Sequence, residues 1–103
     1  MASDSERITV SIDKDLEDIA PGYLENRRKD LELLPQALEK ADYATLRVLG
    51  HRMKGSGAGY GFNLITEIGR AIEEGAKSED AAAIRNAIDN LGNYLERVEL
   101  VYE

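Results

Sequence analysis

The chain contains no cysteine, which excludes a disulfide framework, a thiolate metal site and thiol catalysis together. The opening MASDSERITV has neither the basic region nor the apolar core of a secretory signal. No apolar run approaches the ~18 residues that cross a bilayer. The expectation is a cytoplasmic protein with no membrane contact. There are two prolines and one phenylalanine, and with abundant Ala, Leu, Glu and Ile this favours helix over sheet. Basic charge is short as well: 13 Lys and Arg against 20 Asp and Glu leave a net charge of −7. A partner with a phosphate backbone needs a broad basic face, so nucleic acid is argued against. At 103 residues the chain is one domain. A chain of that size buries roughly 65% of its unfolded surface, enough for a modest core without staples.

What is present is periodic. Residues 1–12 are polar apart from the alternating Ile8-Thr9-Val10-Ser11-Ile12, read as an extended N-terminal arm with no second strand to pair with. Asp13 is placed to cap a short helix over Lys14–Ala20. Pro21 suits the first turn of a longer helix to about Lys40, carrying Leu24, Leu31, Leu34 and Leu38. Pro35 inside it should kink that helix or split it in two. Asp42 caps a second helix from Tyr43 with Leu46, Leu49, Met53 and Gly57 on its buried stripe, stopping near Gly59–Gly61. Phe62 and Asn63 read as the staple and cap of a third helix with Ile65, Ile68, Ile72 and Ala76. A fourth, capped by Ser78 or Asp80, carries Ile84, Ile88, Leu91, Leu95, Val98 and Tyr102 in steps of four and three. The fold class expected is all-α: an antiparallel four-helix bundle over residues 13–103 with a short N-terminal extension.

The only histidine, His51, lies in the stretch Leu49–Phe62, LGHRMKGSGAGYGF, inside the longest window without an acidic residue. At about 100° per residue it stands roughly 160° around the second helix from Leu49 and Met53, away from the core. Its neighbours three, four and seven positions away are Arg47, Val48, Lys54, Gly55 and Ala58. Two are basic, two are almost without side chain, and none is acidic. A glycine in a helix interior costs close to 1 kcal/mol against alanine, and on an outward face Gly55 returns nothing structural. It leaves the ring open to another macromolecule. An exposed neutral imidazole is a competent nucleophile, and basic neighbours would offset negative charge arriving there. A metal site needs several convergent ligands, which one histidine among basic residues does not gather. Ser56 is about 140° away around the helix, which argues against a serine triad. The glycines lack the preceding strand and the Gly-Lys-Ser/Thr ending of a nucleotide-binding loop.

The run Gly50-His51-Arg52-Met53-Lys54-Gly55-Ser56 resembles the histidine-containing phosphotransfer (HPt) domain, whose core pattern is H-x-L-K-G-S/A, with Met53 in place of the usual leucine. The order of helices around it is similar over most of the chain. The resemblance implies that His51 accepts a phosphoryl group through Nε2, that Lys54 is the basic residue beside that group, and that Gly55 lets a receiver domain approach. It further implies a side chain of the third helix on the other ring nitrogen. Reflection about a turn near Tyr60–Gly61 puts Arg70 level with His51, and Glu73 and Glu74 within a turn, without deciding among them. The function implied is that of a stand-alone, monomeric carrier in a multistep phosphorelay, moving phosphate between phospho-aspartates of response-regulator receiver domains, those of hybrid histidine kinases included. No cofactor is expected on this chain, Mg²⁺ belonging to the receiver, and no autokinase activity. The competing expectation is a helical adaptor or inhibitor that docks on receivers or kinases without accepting phosphate.

Overall fold

Two aspartates set where helices start and stop. Asp42 and Asp80 each accept from the amide three residues on, Thr45 and Ala83, at 3.1 Å. Each bond satisfies one of the four amides left over at a helix start. The same aspartates also end the helices before them. The Asp42 amide donates to the Ala37 carbonyl and the Asp80 amide to the Gly75 carbonyl, both at 2.8 Å, with Ala41 and Glu79 left-handed at φ 53° in between. Each connection is a Schellman-type ending fused to an N-cap, and neither uses glycine at the left-handed position.

The computed structural model describes residues 6–103, so residues 1–5 of the expected arm lie outside the described residues. Four helices follow in order: α1 (Ala20–Glu39), α2 (Tyr43–Ser56), α3 (Asn63–Lys77) and α4 (Ala81–Arg97). Before α1 lie a strand, β1 (Ile8–Ile12), and a 3-10 turn over Lys14–Leu16; after α4 comes β2 (Val98–Tyr102). Among the described residues no helix is long and apolar enough to cross a membrane. Every helix contributes fully buried side chains to one core, among them Leu34, Leu46, Met53, Ile65, Ile72, Ile84 and Leu91, with Phe62 from the α2–α3 connection. Each removes surface worth about 1.5–3 kcal/mol from water.

Several expectations need correction. The last helix stops at Arg97, not Tyr102, because Val98 turns extended at φ −70°, ψ 137°. Val98–Tyr102 pairs in parallel with β1, Ile8 opposite Val98 and Ile12 opposite Tyr102, so the arm does have a partner strand. Two strands alone are marginal, but this pair lies on the bundle with Ile12 fully buried. The short helix after Asp13 is only the 3-10 turn, capped by Asp13 accepting from the Asp15 amide at 2.9 Å. Pro35 leaves α1 as one helix, so the split at that residue does not occur. Gln36 there donates from its side chain to the Glu32 carbonyl at 3.0 Å, adding a bond in the turn that proline weakens. α2 ends at Ser56, earlier than expected, and Ala58–Tyr60 forms a separate 3-10 turn closed by Gly61 at φ 92°. Phe62 stands at the α3 cap position with no side-chain bond, and Asn63 is the first helical residue.

Candidate functional site

α2 and α3 meet through glycine. A Cβ built on Gly50 would stand 2.7 Å from the Glu73 amide nitrogen and 2.8 Å from the Gly69 carbonyl. One on Gly69 would stand 2.7 Å from the Gly50 carbonyl and would overlap the Lys54 amide nitrogen. Backbone lies on backbone there, and a close approach of that kind admits no side chain. Farther along, Gly57 meets Thr66 in the same way, so contacts climb α3 as they descend α2. Thr66 fastens this end, accepting from the Ala58 amide at 2.8 Å and donating to the Lys54 carbonyl at 3.1 Å.

The close seam brings a carboxylate of α3 up to the outer face of α2. Glu73 is the one charged residue buried among the described residues. Its Oε2 lies 3.0 Å from His51 Nδ1 and its Oε1 2.7 Å from Lys54 Nζ. The hydrogen bond from Lys54, helped by that from His51, outweighs the desolvation that opposes it and holds the carboxyl below its usual range. An ionised carboxylate only accepts, so Nδ1 carries the proton in the bond to Glu73. That assignment leaves the lone pair on Nε2. The His51 side chain is 67% exposed while that of Glu73 is 7%, so one ring nitrogen is anchored inside and the rest of the ring stands in solvent. The arrangement does two chemical jobs: it fixes a tautomer with a free nucleophilic nitrogen, and it places a negative charge beside Nδ1–H should the ring become cationic.

The other expected residues separate into groups. Arg47 and Val48 are exposed beside His51. With Ala44, Arg52 and Glu73 they line a shallow depression of about 520 Å³ at the ring, and Val48 is an exposed large apolar side chain within it. Gly55 is exposed, and a Cβ there would meet nothing within 4 Å. Lys54 lies on the same face, its ammonium engaged by Glu73. Ala58 is exposed and sits on the 3-10 turn past the helix. Arg70 is turned to Glu67, 2.8 Å away, and Glu74 is exposed; of the three α3 candidates, Glu73 is the one that reaches the ring. Ser56 bonds to Tyr23 Oη at 2.8 Å and to the Arg52 carbonyl at 2.9 Å, away from His51 as its phase requires. Reading the sequence missed Ala44 and Arg52. Ala44 lies seven residues before His51, the same spacing that drew attention to Ala58 on the other side.

A family model described as Hpt domain matches residues 22–99. No curated protein and no solved structure gives a significant match to the chain. The matched span runs from the first turn of α1 into β2 and leaves out β1.

Proposed function

The chain belongs to the Hpt domain family, of histidine phosphotransfer in phosphorelay signalling, and on that premise we propose that His51 carries the phosphoryl group. The observation that carries this reading is the division of the ring: Nδ1 bonded to a buried anionic carboxylate, with the ring 67% exposed. The partners are receiver domains bearing a phospho-aspartate. In the forward step Nε2 attacks phosphorus, a P–N bond forms, and the bond between phosphorus and the aspartyl oxygen breaks, returning a carboxylate to the receiver. The developing positive charge on the ring is held by Glu73 through Nδ1–H. Transfer to a second receiver reverses these bond changes on its aspartate. Catalysis is positioning plus charge compensation, with Arg47, Arg52 and Lys54 as the cations nearest the ring. Mg²⁺ belongs to the receiver, and this chain acts as a carrier, not an autokinase. The helices form an antiparallel bundle, a reading supported by the contacts that climb α3 while descending α2.

The exposed Gly55 and the depression at Ala44, Arg47 and Val48 support docking of a receiver over the ring. Incubation with a panel of phosphorylated receiver domains tests the reading. Wild type should acquire label that is acid-labile and stable to base, as a phosphoramidate is, and His51→Gln should acquire none. If His51→Gln drained a phosphorylated receiver as fast as wild type, the carrier reading would give way to that of an adaptor docking by the same face.

A further inference from the structure

The segment Glu6–Lys14 is self-complementary when one copy is reversed against another. Glu6 falls opposite Lys14, Arg7 opposite Asp13, Ile8 opposite Ile12, Thr9 opposite Ser11, and Val10 opposite itself. In each charged pair the signs are opposite. Such a pattern matters where a strand has a free edge, and β1 has one.

In the two-stranded sheet β1 is paired on one side only. The Ile12 carbonyl accepts from the Glu103 amide at 3.1 Å, and the Lys14 amide donates to the Glu103 carbonyl at 2.9 Å. The even-numbered residues therefore direct their backbone groups to β2. Alternation along a strand turns those of Thr9 and Ser11 to the opposite edge. Among the described residues nothing pairs with that edge. It lacks two common protections, since Ile8–Ile12 contains no charge and no proline; β2, by contrast, carries Glu99 within the strand. Arg7 has no carboxylate within ion-pair distance among the described residues. The Asp13 carboxylate spends one oxygen on the Asp15 amide and keeps the other. The family match begins at residue 22, so this edge is a property of the chain outside the matched span.

We propose that β1 pairs antiparallel with β1 of a second copy about a two-fold axis at Val10, making a four-stranded sheet in the order β2–β1–β1–β2. The parity fits. Val10, whose backbone groups face β2, takes the non-hydrogen-bonded place on the axis, and Thr9 exchanges both hydrogen bonds with Ser11 of the second copy on either side. Arg7 then faces Asp13 of the second copy twice by symmetry, an opposite-charge pair of the kind that stabilises cross-strand neighbours. The uncharged strand is where two copies, each with net charge −7, can approach. This reading replaces the monomer expected from sequence.

Sedimentation velocity from micromolar to near-millimolar protein tests it. Wild type should double its mass with concentration. Thr9→Pro removes an amide that faces away from β2, which an edge strand tolerates, and should weaken the dimer by about 30-fold while far-UV circular dichroism keeps the helices. Arg7→Asp and Asp13→Arg should each be monomeric alone, since each sets like charges opposite one another. Their equimolar mixture should regain the doubled mass, because both cross-strand pairs are then opposite in sign. If Thr9→Pro failed to fold, the two charge variants and their mixture would decide the matter alone. A wild type that keeps the single-chain mass at the highest concentration overturns the proposal. So does a dimer that Thr9→Pro and the charge changes leave intact, which would place the interface on another face.

Discussion

The seam between α2 and α3 and the seam between α1 and α4 are both built around glycine, with opposite results. At Gly50 and Gly69 backbone touches backbone, and an added Cβ would stand within 2.7–2.8 Å of backbone atoms on the opposing helix. At Gly92 the nearest atom to an added Cβ is Leu31 Cδ2 at 3.6 Å, and a groove of about 650 Å³ runs past it between Arg28, Leu31, Glu32, Leu95 and Glu96. Polar contact across this second seam is sparse: the Arg28 guanidinium reaches the Leu95 carbonyl at 3.3 Å. The tight seam positions the proposed site, because only a short helix–helix distance lets a carboxylate rooted in α3 reach a ring and an ammonium on the outer face of α2. The loose seam holds the bundle together without positioning anything.

That contrast breaks most visibly at the tight seam. Gly69→Ala should destabilise the fold by about 3 kcal/mol, the upper part of the overpacking range, because the opposing atoms are backbone and cannot rotate away. The gain of up to about 1 kcal/mol in helix propensity offsets only part of this. Urea denaturation would show the loss as a lower midpoint at unchanged slope. Whatever fraction remains folded should also transfer phosphate more slowly, since separating α2 from α3 takes Glu73 away from Nδ1. A Gly69→Ala variant as stable as wild type would mean the helices are farther apart than described.

Next in size is the carboxylate itself. Glu73→Ala leaves Lys54 without its partner and the ring without an anchor. Phosphoryl transfer should fall by about 100-fold, the low end of what a positioned proton partner supplies. Glu73→Gln fills the same space and can still accept from Nδ1 but carries no charge, so it should recover only part of that loss, whereas a merely space-filling role would predict full recovery. The two seams also differ in pH response. The Glu73 carboxyl lies below its ordinary value of 4.5 because of Lys54 and His51. The stability it contributes is therefore fully present above that value and lost as pH falls through the lower folded value. Tyr94, in α4 and neighboured by Tyr23 of α1, is pushed up to about 12, first by burial and then by the other phenol. Its contribution is fully present below its ordinary value of 10.0 and is lost as pH rises through about 12. Acid titration of Glu73→Gln and alkaline titration of Tyr94→Phe should each flatten one limb of the stability profile and leave the other unchanged.

How far the sequence could be read follows from which periods are unambiguous. Ile65, Ile68, Ile72 and Ala76 fit a helix and nothing else, and all are buried in α3. Val98 and Tyr102, four residues apart, fit a helix and equally fit one face of a strand. Leu100 separates the two, since on a helix it would point away from both; in the structure all three are half-buried on one face of β2. The partner that tips this segment to strand is Ile8–Ile12, some 90 residues earlier, a distance that local pattern does not cross. At the site, helical phase alone sufficed to put Arg47, Val48, Lys54 and Gly55 around His51, because all five lie on one regular helix. Glu73 required the relation between two helices. The clue lies in Gly50 and Gly69, two glycines in facing helix interiors where propensity disfavours them, whereas Gly55 on the outer face says nothing about where α3 sits.

The smallest effect sharpens the comparison from the other side. Gly92 sits inside α4, where glycine costs about 1 kcal/mol relative to alanine, and the methyl of Gly92→Ala would meet Leu31 at ordinary van der Waals distances of 3.6 and 3.9 Å. The substitution should therefore stabilise the protein by about 1 kcal/mol, opposite in sign to the same change at Gly69. A midpoint shift of that size in urea is measurable, and transfer kinetics should be unchanged because nothing on α4 touches the ring. Were Gly92→Ala destabilising instead, the groove would be closed in solution and both seams would be tight. The position of Glu73 would then have to be explained by something other than the difference between them.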